Sequence, residues 1–198
     1  MKTLRFLLPV AALVGAITMM AQPAQPMPMP AKKGMAMGGR ISPHETISTR
    51  LSDGSRVTVV YGRPYSKDPK TGEIRKIWGG LVKTGHGDRL GADEATLLLN
   101  EKPMVLPDGT VIPAGAHTLY IVVADDLSAK LAFSTNLGKW GIPVDETHDL
   151  ARVDLKKDEL PAHIDQLTLS VERNPGGGGV LKIKWENTQY SLAFTTQK

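Results

Sequence analysis

The sequence predicts an all-β domain, a mainly antiparallel β-sandwich or open barrel of about eight to ten strands. Three observations lead there. Apolar and polar residues alternate with a period of two over most of the second half of the chain, the pattern of a strand with one face on a core and one in water. The segments are separated by short runs of turn-forming residues. No long stretch carries the 3.6-residue period of an amphipathic helix.

The strands follow in order. RVTVVYG places Val57, Val59 and Tyr61 on one face, and HTLYIVVA places Leu119, Ile121 and Val123 together with His117 on the same side. KLAFST comes next at Lys130–Thr135. LARVDLKK sets Ala151, Val153 and Leu155 against Arg152, Asp154 and Lys156, and DQLTLSVER aligns Leu167, Leu169 and Val171. VLKIKWEN aligns Leu181, Ile183 and Trp185, which makes Trp185 a core residue, and QYSLAFT aligns Tyr190, Leu192 and Phe194. The joints are SDGS at 52–55, PDGT at 107–110, NPGGGG at 174–179 and ENTQ at 186–189. ADEATLLLNE fits a strand or a helix, because Ala, Glu and Leu also favour helix. The glycine run lacks a following Lys-Ser/Thr and a following helix, so it reads as a hairpin tip rather than a phosphate loop.

The organisation before the domain reads as export. Lys2 and Arg5 precede an uncharged, mainly apolar run from Phe6 to Met20, with Ala21 and Ala24 as small residues for cleavage, the layout of a secretory signal peptide over 1–21. The run is shorter than the ~20 apolar residues of a spanning helix and contains Pro9 and Gly15, so no stable membrane insertion is expected after cleavage. Residues 22–40, rich in Pro, Met, Gly and Ala, read as a disordered linker, and 41–198 as a single β-sandwich domain. The expected location is periplasmic or secreted. With no cysteine, disulfides and a lipoprotein anchor are excluded.

The net charge of +4 belongs to the leader. Of 24 basic residues five precede residue 41, where no acid occurs, so 19 basic face 20 acidic residues in the domain. A nearly neutral domain lacks the basic surface of a nucleic-acid binder.

Catalytic signals are weak. None of the five histidines stands in an HExxH pattern, His86 and Asp88 alone are too few ligands, and no resident metal or other cofactor is expected. There is no GxSxG nucleophile elbow. Asp88, Asp93 and Glu94 crowd the glycine-punctuated stretch KTGHGDRLGADEAT, as they would for paired-carboxylate chemistry or for a polar turn. Met27, Met29, Met35 and Met37 form two M-x-M pairs just ahead of His44; thioethers are soft ligands for Cu(I), although linker composition explains them more simply. Trp78 and Trp140, each followed by glycine, read as loop or strand-end residues. Arg63, Arg75 and Arg89 flank the strand pattern, where each can pair with an acid or clamp a ligand's carboxylate or phosphate.

The motifs RISPHETIS, VTVVYGRP, IRKIWGGLV, DRLGADEATLLL, IPAGAHTLYIVV, LGKWGIPVDETHDLARVDL and LKIKWENTQYSLAF occur in this order. Together they resemble a bacterial family known as domain of unknown function 2911, over roughly residues 40 to 196. The resemblance implies an exported β-rich domain and no established activity. Arg89, Gly91, Ala92, Glu94, Ala95 and Thr96 fit the family's W-R-T-G-A-N-E-A-T pattern. Asp88 stands in place of its Trp, Leu90 of its Thr, Asp93 of its Asn, and His117 where Tyr is usual; Ser66–Glu73 resembles an insertion. The polar positions that fit the family are Arg63, Arg75, Arg89 and Glu94.

The expectation is therefore an exported module with a small-molecule or glycan pocket lined by Arg63, Arg75, Arg89 and Glu94, adjoined by Asp93 and His117, with Trp78 as an apolar wall. Two alternatives stand beside it. One is a hydrolase using Glu94 or Asp93 with His86 or His117. The other is a structural envelope interaction protein in which the arginines only pair with acids.

Overall fold

A computed structural model of the 198-residue chain describes residues 41–197; the expected signal peptide and linker lie outside the described residues. Ten strands follow one another: β1 (His44–Arg50), β2 (Arg56–Gly62), β3 (Gly87–Arg89), β4 (Thr96–Asn100), β5 (Met104–Val105), β6 (Val111–Ile112), β7 (Gly115–Val123), β8 (Ala129–Ser134), β9 (Asp149–Arg173) and β10 (Gly179–Thr196). A single 3-10 turn, Glu146–His148, interrupts them, and the described residues include no α-helix. Among the described residues no helix is long and apolar enough to cross a membrane.

All strands join one antiparallel sheet in the order β1-β2-β4-β7-β8-β9-β10-β5-β6, with β3 paired to β7, and the sheet does not close into a barrel. It curls so that both ends share one core: Val59 and Tyr61 from β2, Leu119 and Ile121 from β7, and Leu169 and Ile183 from β9 and β10 are buried in the same apolar cluster. These are the inward members of the alternating runs. The ambiguous TLLLN segment is strand, because Thr96, Leu98 and Asn100 are buried in alternation while it pairs with β2 and β7.

The structure merges what the sequence separates. LARVDLKK and DQLTLSVER belong to one 25-residue strand, β9, which pairs with β8 over Asp149–Leu155 and with β10 from Lys156 onward. Pro161 is accommodated because the register between β9 and β10 shifts there, and proline in a sheet belongs at such irregularities. The expected turn at 186–189 is part of the same irregularity: Glu186 adopts φ 53° and β10 continues past it.

The C-terminal half of β9 would be left with a free edge, which side chains from the other end of the sheet cover. The Leu169 N–H donates to the Tyr61 hydroxyl at 2.9 Å, and Thr49 Oγ1 donates to the Val171 carbonyl at 2.8 Å. Arg63 Nε donates to the Leu167 carbonyl at 3.2 Å, and Leu167 N–H reaches the Pro64 carbonyl at 2.9 Å. An open sheet with such a side-chain seam has few unpaired backbone groups to offer to a second chain. The long excursion from Pro64 to Ala95, between β2 and β4, carries most of the residues singled out by sequence. Connections of that length within a compact domain are often functional.

Candidate functional site

The excursion folds back over the sheet and is pinned by its apolar residues. Ile77 and Trp78 are buried, and the Trp78 ring stands edge-on to Trp185 and Tyr190, with centroids 6.1 and 5.0 Å away. Trp78 is thus a core residue rather than the wall of a pocket. Its two following glycines do mark a turn of the backbone, but the turn drives the indole inward.

The seam also claims Arg63. Its guanidinium lies 3.2 Å from Glu45, donates to the Leu167 carbonyl, and reaches Thr168 Oγ1 at 3.1 Å. All of these partners belong to the sheet, and Arg63 lines neither of the two cavities described below.

Arg75 and Arg89 do meet, along a groove of about 500 Å³. Its charged residues are Asp68, Lys70, Arg75, Asp88, Arg89 and Asp93. Arg75 is braced by the Tyr65 carbonyl at 2.6 Å and lies 3.6 Å from Asp68. Asp68 and Lys70 come from the Ser66–Glu73 segment, so the part of the sequence that resembles an insertion forms one wall. Arg89, at the end of β3, donates through Nη1 to the Asp93 carbonyl (2.8 Å) and the Trp140 carbonyl (3.2 Å). Its guanidinium also lies over the Trp140 ring, 5.8 Å from the centroid. No carboxylate of a described residue forms an ion pair with it. Its bond to Asp93 is to the backbone carbonyl, not to the carboxylate.

Asp88 is the groove residue that sequence reasoning missed. Reading it as a solvated turn follows from the glycines on either side, but it lies on β3 opposite Ile121 and is partly buried in the groove. Burial pushes its carboxyl above the usual carboxylate range, opposed by the backbone N–H groups of Arg89 and Lys83. A displaced acid in a cleft is a mark of functional sites. The rim is apolar: Ile41, Leu81 and Ile142 border the groove and are exposed, and Trp140 beside Arg89 is 55 % exposed.

Glu94 points elsewhere. Its carboxylate lies 3.0 Å from His44 Nε2, and the Asp93 carboxylate lies 3.8 Å from the same nitrogen. His44 and Glu94 border a second cavity, of about 310 Å³, walled by Val60, Tyr61 and Leu97. The structure therefore separates the expected Arg/Glu set: Arg75, Arg89 and Asp93 at the groove, and Glu94 with His44 at the cavity beyond it. The histidine that meets the carboxylates is His44, whose only sequence signal is its place in the RISPHETIS motif.

Neither histidine proposed for a hydrolase joins Glu94. His117 is buried on β7 opposite Leu98, four residues beyond Glu94 along β4, and its Nε2–H donates to the Pro113 carbonyl at 2.9 Å. His86 is exposed at the far end of β3, beside Glu146.

The loop holding Asp93 and Glu94 owes its position to Gly62, the register partner of His44. A Cβ on Gly62 would collide with the Ala92 carbonyl oxygen and lie 2.9 Å from its carbonyl carbon, so the missing side chain lets the loop press against β2. Asp93 itself has φ 63°, a left-handed conformation that Asp and Asn tolerate better than other side chains.

Neither a curated protein nor a solved structure matches the chain. The family described as "Protein of unknown function (DUF2911)" matches residues 42–194, which takes in all the strands but the last residues of β10 and every residue of both cavities except Ile41. The chain belongs to that family.

Proposed function

We propose that the protein is an exported binding module whose groove takes a neutral glycan. The observation that carries this reading is the composition of the groove: three cations, Lys70, Arg75 and Arg89, and three acids, Asp68, Asp88 and Asp93, under an apolar rim. A groove built for a carboxylate or phosphate would carry a surplus of positive charge. Balanced donors and acceptors suit hydroxyl groups, each of which both donates and accepts. An exposed indole with the Arg89 guanidinium over its ring suits the C–H face of a sugar ring, which is apolar where its hydroxyls are not.

The test is ligand-observed NMR on the full chain with a panel of neutral oligosaccharides, matched uronic-acid oligosaccharides and sugar phosphates. Saturable binding of a neutral member, lost in Arg89→Ala and in Trp140→Ala, supports the reading. Binding confined to the anionic members, or to none of the panel, refutes it.

A further inference from the structure

We infer that His44, Asp93 and Glu94 form a binding site for a divalent cation of the zinc type. The inference does not rest on the glycan reading.

One ligand atom from each of the three lies within 4.8 Å of the others. His44 Nε2 lies 3.0 Å from the Glu94 carboxylate and 3.8 Å from that of Asp93. Nitrogen and oxygen ligands at ~2.0–2.1 Å in a tetrahedron stand roughly 3.4 Å apart, so the observed separations bracket the required one. A cation at their centre needs side-chain rotations rather than backbone movement.

The chemistry of the donors selects the ion. One imidazole nitrogen and two carboxylate oxygens suit zinc and its neighbours, whereas calcium asks for six to eight oxygens. Two carboxylates and a neutral imidazole also balance a double positive charge. Thioethers are not part of the set, which separates it from the Cu(I) chemistry of the M-x-M pairs.

The three residues are held in place by backbone contacts outside the cluster. His44 opens β1 and is fixed by its register with Gly62. The Asp93–Glu94 loop is pressed onto that same glycine, and its backbone is tied by Arg89 Nη1 on the Asp93 carbonyl. Prepared ligands lower the ordering cost of binding.

Three protein ligands leave a fourth tetrahedral position, which opens toward a neighbouring cavity. His44 and Glu94 border the cavity of about 310 Å³, which gives room for water or an exogenous ligand on the cation. An open position is the arrangement of a reactive zinc site rather than of a closed structural one.

The full chain, stripped of metal with a chelator, is titrated with Zn²⁺ against a chromogenic competitor. The wild-type protein should bind one ion saturably, and Zn²⁺ should raise its melting temperature. His44→Ala and Glu94→Gln should each weaken binding at least about tenfold and abolish the thermal shift. His86→Ala and a variant with Met27, Met29, Met35 and Met37 replaced by leucine should bind as the wild type does. If His44→Ala fails to fold by circular dichroism, Glu94→Gln decides, since it keeps the shape of the side chain. The inference is overturned if the wild-type protein shows no saturable Zn²⁺ binding, if Glu94→Gln binds as tightly as the wild type, or if the methionine variant loses the site.

Discussion

Replacing Gly62 by alanine tests the packing on which the His44 cluster depends. Gly62 ends β2, and its backbone is not in the left-handed region, so alanine meets no conformational penalty there. What it meets is the 91–94 loop: the new methyl would overlap the Ala92 carbonyl oxygen and stand 2.9 Å from the carbonyl carbon and 3.1 Å from the nitrogen. These are backbone atoms, with no flexible side-chain end to swing aside. The loop must withdraw by about 1 Å, and overpacking of this kind costs about 1–3 kcal/mol. Alanine recovers ~0.4–1 kcal/mol by stiffening the unfolded chain. The net expectation is a loss of about 1.3 kcal/mol, or ~3–5 °C in melting temperature for a domain of this size. Urea and thermal unfolding of Gly62→Ala measure it, with Gly109→Ala as the comparison. Gly109 has φ 86° and open space around its Cβ position, so its loss reports the left-handed backbone alone. Gly62→Ala should also weaken Zn²⁺ binding, whereas Gly109→Ala, in the β5–β6 turn away from His44, should not. A Gly62→Ala variant within about 0.5 kcal/mol of the wild type would refute the close-packing account.

Three further outcomes follow from the seam and the groove. Tyr61→Phe removes the acceptor of the buried Leu169 N–H and the donor to Glu45 (2.7 Å), and should cost ~2–3 kcal/mol with faster exchange of the Leu169 amide; unchanged exchange would show that the seam does not protect β9. Arg63→Ala should destabilise by about 2–3 kcal/mol and Arg89→Ala by about 1 kcal/mol, because Arg63 holds Glu45 and two acceptors on β9 while Arg89 holds loop carbonyls; the reverse order in urea unfolding would contradict their assigned roles. Burial raises the Asp88 carboxyl, so the native protein keeps that proton to higher pH than the unfolded chain, and the associated stability is lost as pH rises through the native value. Asp88→Asn should therefore raise the melting temperature at pH 7 and leave it nearly unchanged near pH 3, below the ordinary aspartate value of about 3.9; equal shifts at both would remove burial as the cause.

Period-two alternation located the core-facing residues of β2, β7, β9 and β10, because burial of one sheet face is written directly into neighbouring positions; β8, buried at five of its six residues, has no such alternation. The polar strand β1 was not legible: HETISTR is an edge strand whose most buried side chains are only half covered, so no alternation of hydrophobicity marks it. LARVDLKK and DQLTLSVER read as separate strands and ENTQ as a turn, since local chemistry cannot distinguish a turn from an irregularity inside a long bent strand. Charged positions were visible as a cluster, but their partners depend on which distant strands come together. Arg63 was drawn to β9 by the free edge there, and Trp78 to Trp185 and Tyr190 by the core. Neither destination has a signal in the flanking residues.

The stretch from Asp88 to Glu94 carries both candidate sites because it is anchored along its middle. Leu90 and Ala92 are buried, Gly91 lies against the Gly62 carbonyl, and Thr96 Oγ1 donates to the Leu90 carbonyl. With the even-numbered apolar residues fixed inward, the polar residues on either side have no freedom to exchange surfaces: Asp88 and Arg89 face the groove, and Glu94 turns to His44. Asp93 belongs to both, its carbonyl held by Arg89 and its carboxylate directed toward His44. A ligand that draws Arg89 away from that carbonyl must loosen the loop, and a cation that holds the carboxylate must stiffen it. Occupancy of the two proposed sites would therefore be coupled through Asp93, and such coupling would be reciprocal: whatever factor the cation applied to groove affinity, a groove ligand would apply to the cation.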